Sequence, residues 1–262
     1  MPSPGFGLKY MMTRKTVPNA PPAFHVMTQP KGAVCNLQCQ YCYFLSKEKL
    51  YPDSSFHMQE DLLEMYTRQF IGAQQVPRAT FAWQGGEPTL MGVDFFKKAV
   101  AFQQKHKKPG MQIHNTIQTN GTLLDEEWCQ FFKEHHFLVG ISIDGPESLH
   151  NAYRKDKGGK PTFQSVMNGW ELLKKHNVDV NVLVTVNAVN SIHPKDIYRF
   201  LRDEAGAQFI QFIPIVERKN RTGYQEGNKV TDRSVGAKQY GDFMMNVFDQ
   251  WIRRDVSKVF IQ

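Results

Sequence analysis

Three of the chain's four cysteines fall within eight residues, in the stretch AVCNLQCQYCYF, as Cys35, Cys39 and Cys42. Thiolates bind soft or borderline metals, and the spacing Cys-x3-Cys-x2-Cys sets three of them on one short loop. A structural zinc site is closed by four ligands, so zinc here needs a distant histidine or the remaining Cys129. That residue lies in an apolar helical pattern, DEEWCQFFKEHH, where a small buried thiol is the ordinary role. An iron–sulfur cube is a second solution: three cysteines hold three irons, and the fourth iron stays open to a substrate or cofactor. The histidines form no HxxxH or HxH pair, and His135 and His136 read as the basic end of a helix.

A second chemical stretch is WQGGEPTL. Gly85 and Gly86 lack a Cβ and let the backbone come close to another group. Glu87 adds a carboxylate, and Pro88 restricts it to extended geometry. Alone this reads as a turn; beside three clustered cysteines it reads as part of a site. Asp144, ahead of Gly145 and Pro146, reads as a turn carboxylate.

The elements that must position these residues follow from periodicity. Strand patterns occur in FHVMTQP, ATFAWQGG, IHNTIQTNG, FLVGISIDG, VDVNVLVTVN and QFIQFIPIVE. Helical spacing separates them: residues 58–73, 93–106, 126–136, 162–177 and 193–206, with a last helix over 237–255. Asp125 and Thr162 stand where N-caps belong. Strand and helix alternate about six times, which predicts parallel strands joined by crossover helices. In such α/β barrels functional loops gather at the C-terminal ends of the strands. The cysteine loop, QGGEPT, QTNG, SIDGP and IPIVER all finish or follow a predicted strand.

The chain is long enough for one large α/β domain, at 262 residues. Residues 1–22 read as a loosely ordered arm and residues 23–262 as one domain. No apolar run approaches the ~18 residues of a spanning helix, and the first residues hold no apolar signal core. The net charge of +7 admits an acidic partner. Its basic residues are scattered without interleaved aromatics, so nucleic acid is not expected. No P-loop or GxGxxG fingerprint is present.

Taken together, Cys35, Cys39 and Cys42, with Tyr41 before the third cysteine and QGGEP at the next strand end, resemble the signature of radical S-adenosylmethionine enzymes. From about Phe24 onward, QTNGTLL, ISIDGP, HNAYRKDKGG and IQFIPIVER resemble anaerobic sulfatase-maturating enzymes. The resemblance implies a partial (β/α)6 barrel of parallel strands with outer helices. It implies a [4Fe–4S] cluster on the three cysteines and S-adenosyl-L-methionine beside it. Gly85, Gly86 and Glu87 would then surround the methionine amino group. Ser142 and Arg154 would contact the same cofactor, with Tyr41 and Ile215 near its adenine. The implied reaction oxidises a cysteine or serine of a sulfatase polypeptide to Cα-formylglycine. A reduced flavodoxin- or ferredoxin-type donor would drive it, with no nucleic acid or membrane, in the cytoplasm.

The resemblance also implies cysteines for two auxiliary clusters and an aspartate general base in a C-terminal region. This sequence has no cysteine after Cys129 and runs to KVFIQ. No catalytic residue is therefore identified within it, and it is expected to bind one cluster and cleave S-adenosylmethionine without completing turnover. Two other readings stand beside this one: the same chemistry on another peptide, and a zinc-stabilised binding module.

Overall fold

Among the described residues, seven strands form one open, wholly parallel sheet in strict chain order: β1 (Met27–Thr28), β2 (Arg78–Trp83), β3 (Gln112–Thr119), β4 (Phe137–Ser142), β5 (Asp179–Val186), β6 (Phe209–Pro214) and β7 (Phe260–Ile261). This computed structural model describes residues 21–219, 222 and 226–262. The arm expected over 1–22 lies outside the described residues except for Pro21 and Pro22. Pro22 is already tied in, its carbonyl accepting from the Gln75 amide at 2.8 Å.

The helices are α1 (Glu60–Ala73), α2 (Val93–His106), α3 (Glu126–Glu134), α4 (Glu147–Tyr153), α5 (Phe163–Lys175), α6 (Pro194–Arg199) and α7 (Ala237–Arg254). Their apolar faces cover one side of the sheet. In α1 the buried residues Leu63, Thr67, Phe70 and Ile71 recur at helical spacing. In α3 Trp128, Cys129, Phe131 and Phe132 are buried. Cys129 is thus a core thiol, as its pattern predicts. Fully burying a side chain of Leu or Phe size contributes about 1.5–3 kcal/mol.

The strands alternate. In β5, Val182, Val184 and Val186 are buried among the helices, while Asn181, Leu183 and Thr185 are half-buried on the other face. Gln118 and Ser142 belong to that second face at the ends of β3 and β4, where the Gln118 amide donates to Ser142 Oγ at 3.2 Å. Parallel strands covered on both sides read as continuous apolar runs. These read polar on alternate residues because their concave face borders a cavity instead of a second helical layer.

The six predicted strands are all present. β7 was not anticipated: two residues paired with Phe209 and Ile210 are too short to show a period. Nor was α4. The helix expected over 193–206 changes character at Phe200–Glu204, where it becomes a π turn. There the Ala205 amide donates to Phe200 five residues back, at 2.9 Å.

Asp125 caps α3 as predicted, its carboxylate accepting from Trp128 N at 2.9 Å. Thr162 does not cap α5. Its hydroxyl donates instead to the Arg154 carbonyl at 3.0 Å. Asn151 of α4 supplies the missing acceptor, taking the amides of Thr162 and Phe163 at 3.1 and 3.0 Å.

Candidate active site

All the cluster and cofactor residues expected from the sequence line one cavity of about 510 Å³ at the C-terminal ends of the strands: Cys35, Cys39, Tyr41, Cys42, Gly85, Gly86, Glu87, Ser142, Arg154 and Ile215. The cysteine loop after β1 forms its own small core there. Leu37, Cys39, Tyr41 and Ile215 are buried together, with Cys35, Cys42 and Tyr153 packed on them. Cys129 belongs to the separate main core and does not reach this loop's cluster. Among the described residues, no three His, Cys, Asp or Glu side chains converge as ligands of a single ion. Three free thiols of one loop line this cavity, a donor set that fits an iron–sulfur cluster.

The loop after β2 is clamped to the cysteine loop. The Glu87 amide donates to the Val34 carbonyl at 2.9 Å. Gly86 has φ of 53°, and a Cβ there would run into that same carbonyl. Glu87 is extended, at φ −124° and ψ 105°, as the following proline predicts. Its carboxylate was expected to face an ammonium. The structure shows it buried and already accepting four hydrogen bonds. Oε1 accepts from Thr89 N at 3.0 Å and from the hydroxyls of Thr89 and Thr119 at 2.7 Å each. Oε2 accepts from Asn120 N at 2.7 Å. Burial pushes the Glu87 pKa up, and these donors oppose that shift. The side chain therefore ties the end of β3 to the loop after β2.

Sequence reasoning missed Asn120 and Asn36. The Asn120 amide group donates to Asn36 Oδ1 at 2.8 Å and reaches Cys35 Sγ at 3.7 Å. The Leu37 amide donates to the same sulfur at 3.3 Å. Burial pushes the Cys35 thiol up to about 11, against the pull of that amide. Burial also raises Cys39, opposed by Arg154, whose Nη1 lies 4.0 Å from the sulfur. Without metal these groups are thiols at neutral pH, and metal binding must release their protons. The QTNG stretch was the available signal for Asn120.

Asp144 does more than turn the chain. Its Oδ2 accepts from the Tyr41 hydroxyl and from Arg154 Nε, the latter at 3.1 Å, and its Oδ1 accepts from Thr185 N at 2.9 Å. Asp144 and Arg154 are both buried. Burial pulls the Arg154 pKa down, but Tyr41 and Asp144 outweigh it and raise it well above its ordinary value, while burial raises that of Tyr41. The Tyr41 ring meets Tyr153 edge-on at 6.0 Å. One buried carboxylate thus joins the cysteine loop, β4, β5 and the segment after α4. His150, fully buried, accepts the Asp144 amide on Nδ1 at 3.3 Å, and its Nε2 lies 3.3 Å from the Thr162 hydroxyl.

The match to known families bears on this geometry. Residues 30–201 match the model of the radical SAM superfamily. The chain belongs to that superfamily. Among curated radical SAM proteins it is 46% identical over 248 residues to the serine-type anaerobic sulfatase-maturating enzyme of Bacteroides thetaiotaomicron, covering 91% of this chain and 59% of the relative. It is 37% identical over 235 residues to the cysteine-type enzyme of Clostridium perfringens, covering 88% and 60%. The chain therefore spans about three-fifths of the length of these relatives. Among solved structures, one described as native anSMEcpe with bound AdoMet and Cp18Cys peptide superposes with a TM-score of 0.79 at 35% identity, covering 90% of this chain and 62% of that one. As a radical SAM domain, the open parallel sheet with its cysteine loop after the first strand is accounted for.

Proposed function

We propose that this chain is the S-adenosylmethionine-cleaving portion of an anaerobic sulfatase-maturating enzyme. The observation that carries the reading is the convergence of the cysteine triad and the Gly-Gly-Glu-Pro loop on one cavity. The names of the two curated relatives and of the solved structure support the substrate, a sulfatase polypeptide whose cysteine or serine becomes Cα-formylglycine.

Cys35, Cys39 and Cys42 would hold a [4Fe–4S] cluster. S-adenosylmethionine would lie against Gly85 and Gly86, with Ser142 and Arg154 as polar contacts and Tyr41 and Ile215 at its adenine. When bound, the pair supplies one-electron reductive cleavage and a carbon radical able to take hydrogen from a peptide side chain. The protein's own part is position and shielding. Glu87 fixes the loop after β2, and Asp144 fixes both Tyr41 and Arg154. Asp144 holds one edge of the Arg154 guanidinium, which turns the rest of that planar fork toward the cavity, the geometry that favours paired hydrogen bonds to a carboxylate.

A low-potential flavodoxin- or ferredoxin-type donor and a cytoplasmic setting fit free thiols in a reducing compartment. Among the described residues, no helix is long and apolar enough to cross a membrane. A zinc module leaves the convergence of the cysteine triad and the Gly-Gly-Glu-Pro loop on one cavity unexplained.

The test is anaerobic reconstitution with iron and sulfide, followed by dithionite and S-adenosylmethionine. The expected result is about four irons per chain and 5′-deoxyadenosine. Both should be lost in Cys35→Ala, Cys39→Ala and Cys42→Ala and kept in Cys129→Ala. A sulfatase peptide in the same mixture, with any aldehyde trapped by a hydrazine, tests the expectation that this chain alone cleaves the cofactor without completing turnover. Bound zinc without iron, and no cleavage, would overturn the reading.

A further inference from the structure

The segment after α4 is packed directly on the outer side of the cysteine loop. The amides of Gln38 and Gln40, on either side of Cys39, donate to the carbonyls of Lys155 and Tyr153 at 2.8 and 3.0 Å. Leu37 and Asp156 form an antiparallel bridge. The two backbones therefore lie about 5 Å apart, as neighbouring strands do. Beyond this contact the chain makes a tight hairpin, closed by the Lys155–Pro161 bridge and by Asp156 N donating to Lys160 O at 3.0 Å.

The hairpin carries Lys155, Lys157 and Lys160, the last two exposed. Its one carboxylate, Asp156, braces the turn: Oδ1 accepts the amides of Gly158 and Lys160 at 2.8 Å each. Among the described residues, none of the three lysines forms an ion pair. Elsewhere some exposed lysines do pair, as Lys98 does with Glu60 and Lys105 with Glu64. The lysine tip is thus held by backbone hydrogen bonds, carries three lysines against one carboxylate, and is bonded to the residues flanking a cluster cysteine. Lys49, also exposed, follows the same cysteine loop in the chain.

We infer that this lysine hairpin, residues 155–160, is the docking surface for an acidic one-electron carrier protein. The inference rests on the proposed cluster at Cys35, Cys39 and Cys42. An electron must reach that cluster from outside. On the cavity side bound S-adenosylmethionine and substrate would stand in the way; on the side away from it only Gln38 and Gln40, bonded to the base of the hairpin, would separate Cys39 from a docked carrier. In the step, the carrier loses one electron and the cluster gains it. Opposite charge steers such encounters and fixes their orientation, with a strong dependence on salt.

The test uses the reconstituted protein and a purified flavodoxin. Calorimetry with oxidised flavodoxin measures binding without turnover. Lys157→Glu with Lys160→Glu should weaken binding by roughly ten-fold or more and flatten its salt dependence. Arg253→Glu with Arg254→Glu reverses the same charge at the C-terminal end of α7, at the opposite ends of the strands, and should leave binding unchanged. Reduced flavodoxin should then drive 5′-deoxyadenosine formation poorly in the hairpin variant alone, whereas dithionite drives it equally in all three proteins. Lys157→Gln with Lys160→Gln gives the same direction with a smaller fall if the reversal perturbs folding. Unchanged affinity and salt slope in the hairpin variant, or an equal loss in the far-end variant, overturns the docking surface. An equal fall with both reductants also overturns it, because the lysines would then be tuning the cluster. Absence of cleavage with dithionite in the unsubstituted protein refutes the proposed function instead, and the binding result still decides the surface.

Discussion

Glu87→Gln separates two roles for a fully buried acid of the site. The Glu87 carboxylate accepts backbone amides on both oxygens, Thr89 N on one and Asn120 N on the other. The two threonine hydroxyls can rotate, but the amides cannot. A glutamine has a single acceptor oxygen, so in either orientation its NH₂ group faces a buried N–H. An orphaned buried donor costs about 1–3 kcal/mol, and the remaining bonds fall from charge-assisted strength, about 1.5–3, to about 0.5–1.5 kcal/mol each. Relief of the buried charge offsets part of this. The net loss is roughly 2–4 kcal/mol, which for a chain of this size lowers Tm by roughly 6–12 °C near the middle of that range. The assay is urea denaturation of the metal-free protein under anaerobic conditions, reading the midpoint and the slope. A variant within about 0.5 kcal/mol of the parent, the usual span of a surface change, would refute the clamp. If that stable variant also bound S-adenosylmethionine more weakly, the carboxylate would belong to the cofactor's ammonium after all.

Gly86→Ala should destabilise the protein by about 1–3 kcal/mol, since φ is positive and the Val34 carbonyl occupies the space; thermal melting and iron retained after reconstitution both report it. Asp144→Ala leaves Arg154 as an uncompensated buried charge and should cost roughly 3–5 kcal/mol, measured by urea titration. The double change Asp144→Ala with Arg154→Met should recover part of that loss. Burial holds His150 well below its ordinary 6.5, so the folded state refuses a proton that the unfolded chain accepts. The stability it contributes is complete above that ordinary value and falls as pH drops below it. The urea midpoint should decline over that window, and the decline should shrink in His150→Gln.

Much of the fold and site was legible because its signals are local. Six strands show in their periods, the α3 cap in Asp125, and the cysteine loop and Gly-Gly-Glu-Pro turn in contiguous residue types whose chemistry needs no distant partner. The main departures are non-local. Tyr41 and Asp144 are 103 residues apart, and nothing beside either announces that a carboxylate will hold both a phenol and a guanidinium. Glu87 meets Thr119 across 32 residues, a tie between loop and strand that the Gly-Gly-Glu-Pro stretch does not announce. Thr162 stands at a cap position, yet a neighbouring carbonyl takes its hydroxyl and Asn151 does the capping. The lysine hairpin read as scattered charge until backbone pairing set it against Cys39. Sequence by itself determined which groups could do chemistry and on which strand ends they sit, because covalent spacing and side-chain period are properties of the chain. Only the tertiary structure decided what each polar group bonds to, because a buried donor or acceptor takes whatever partner the packing of distant strands brings within reach.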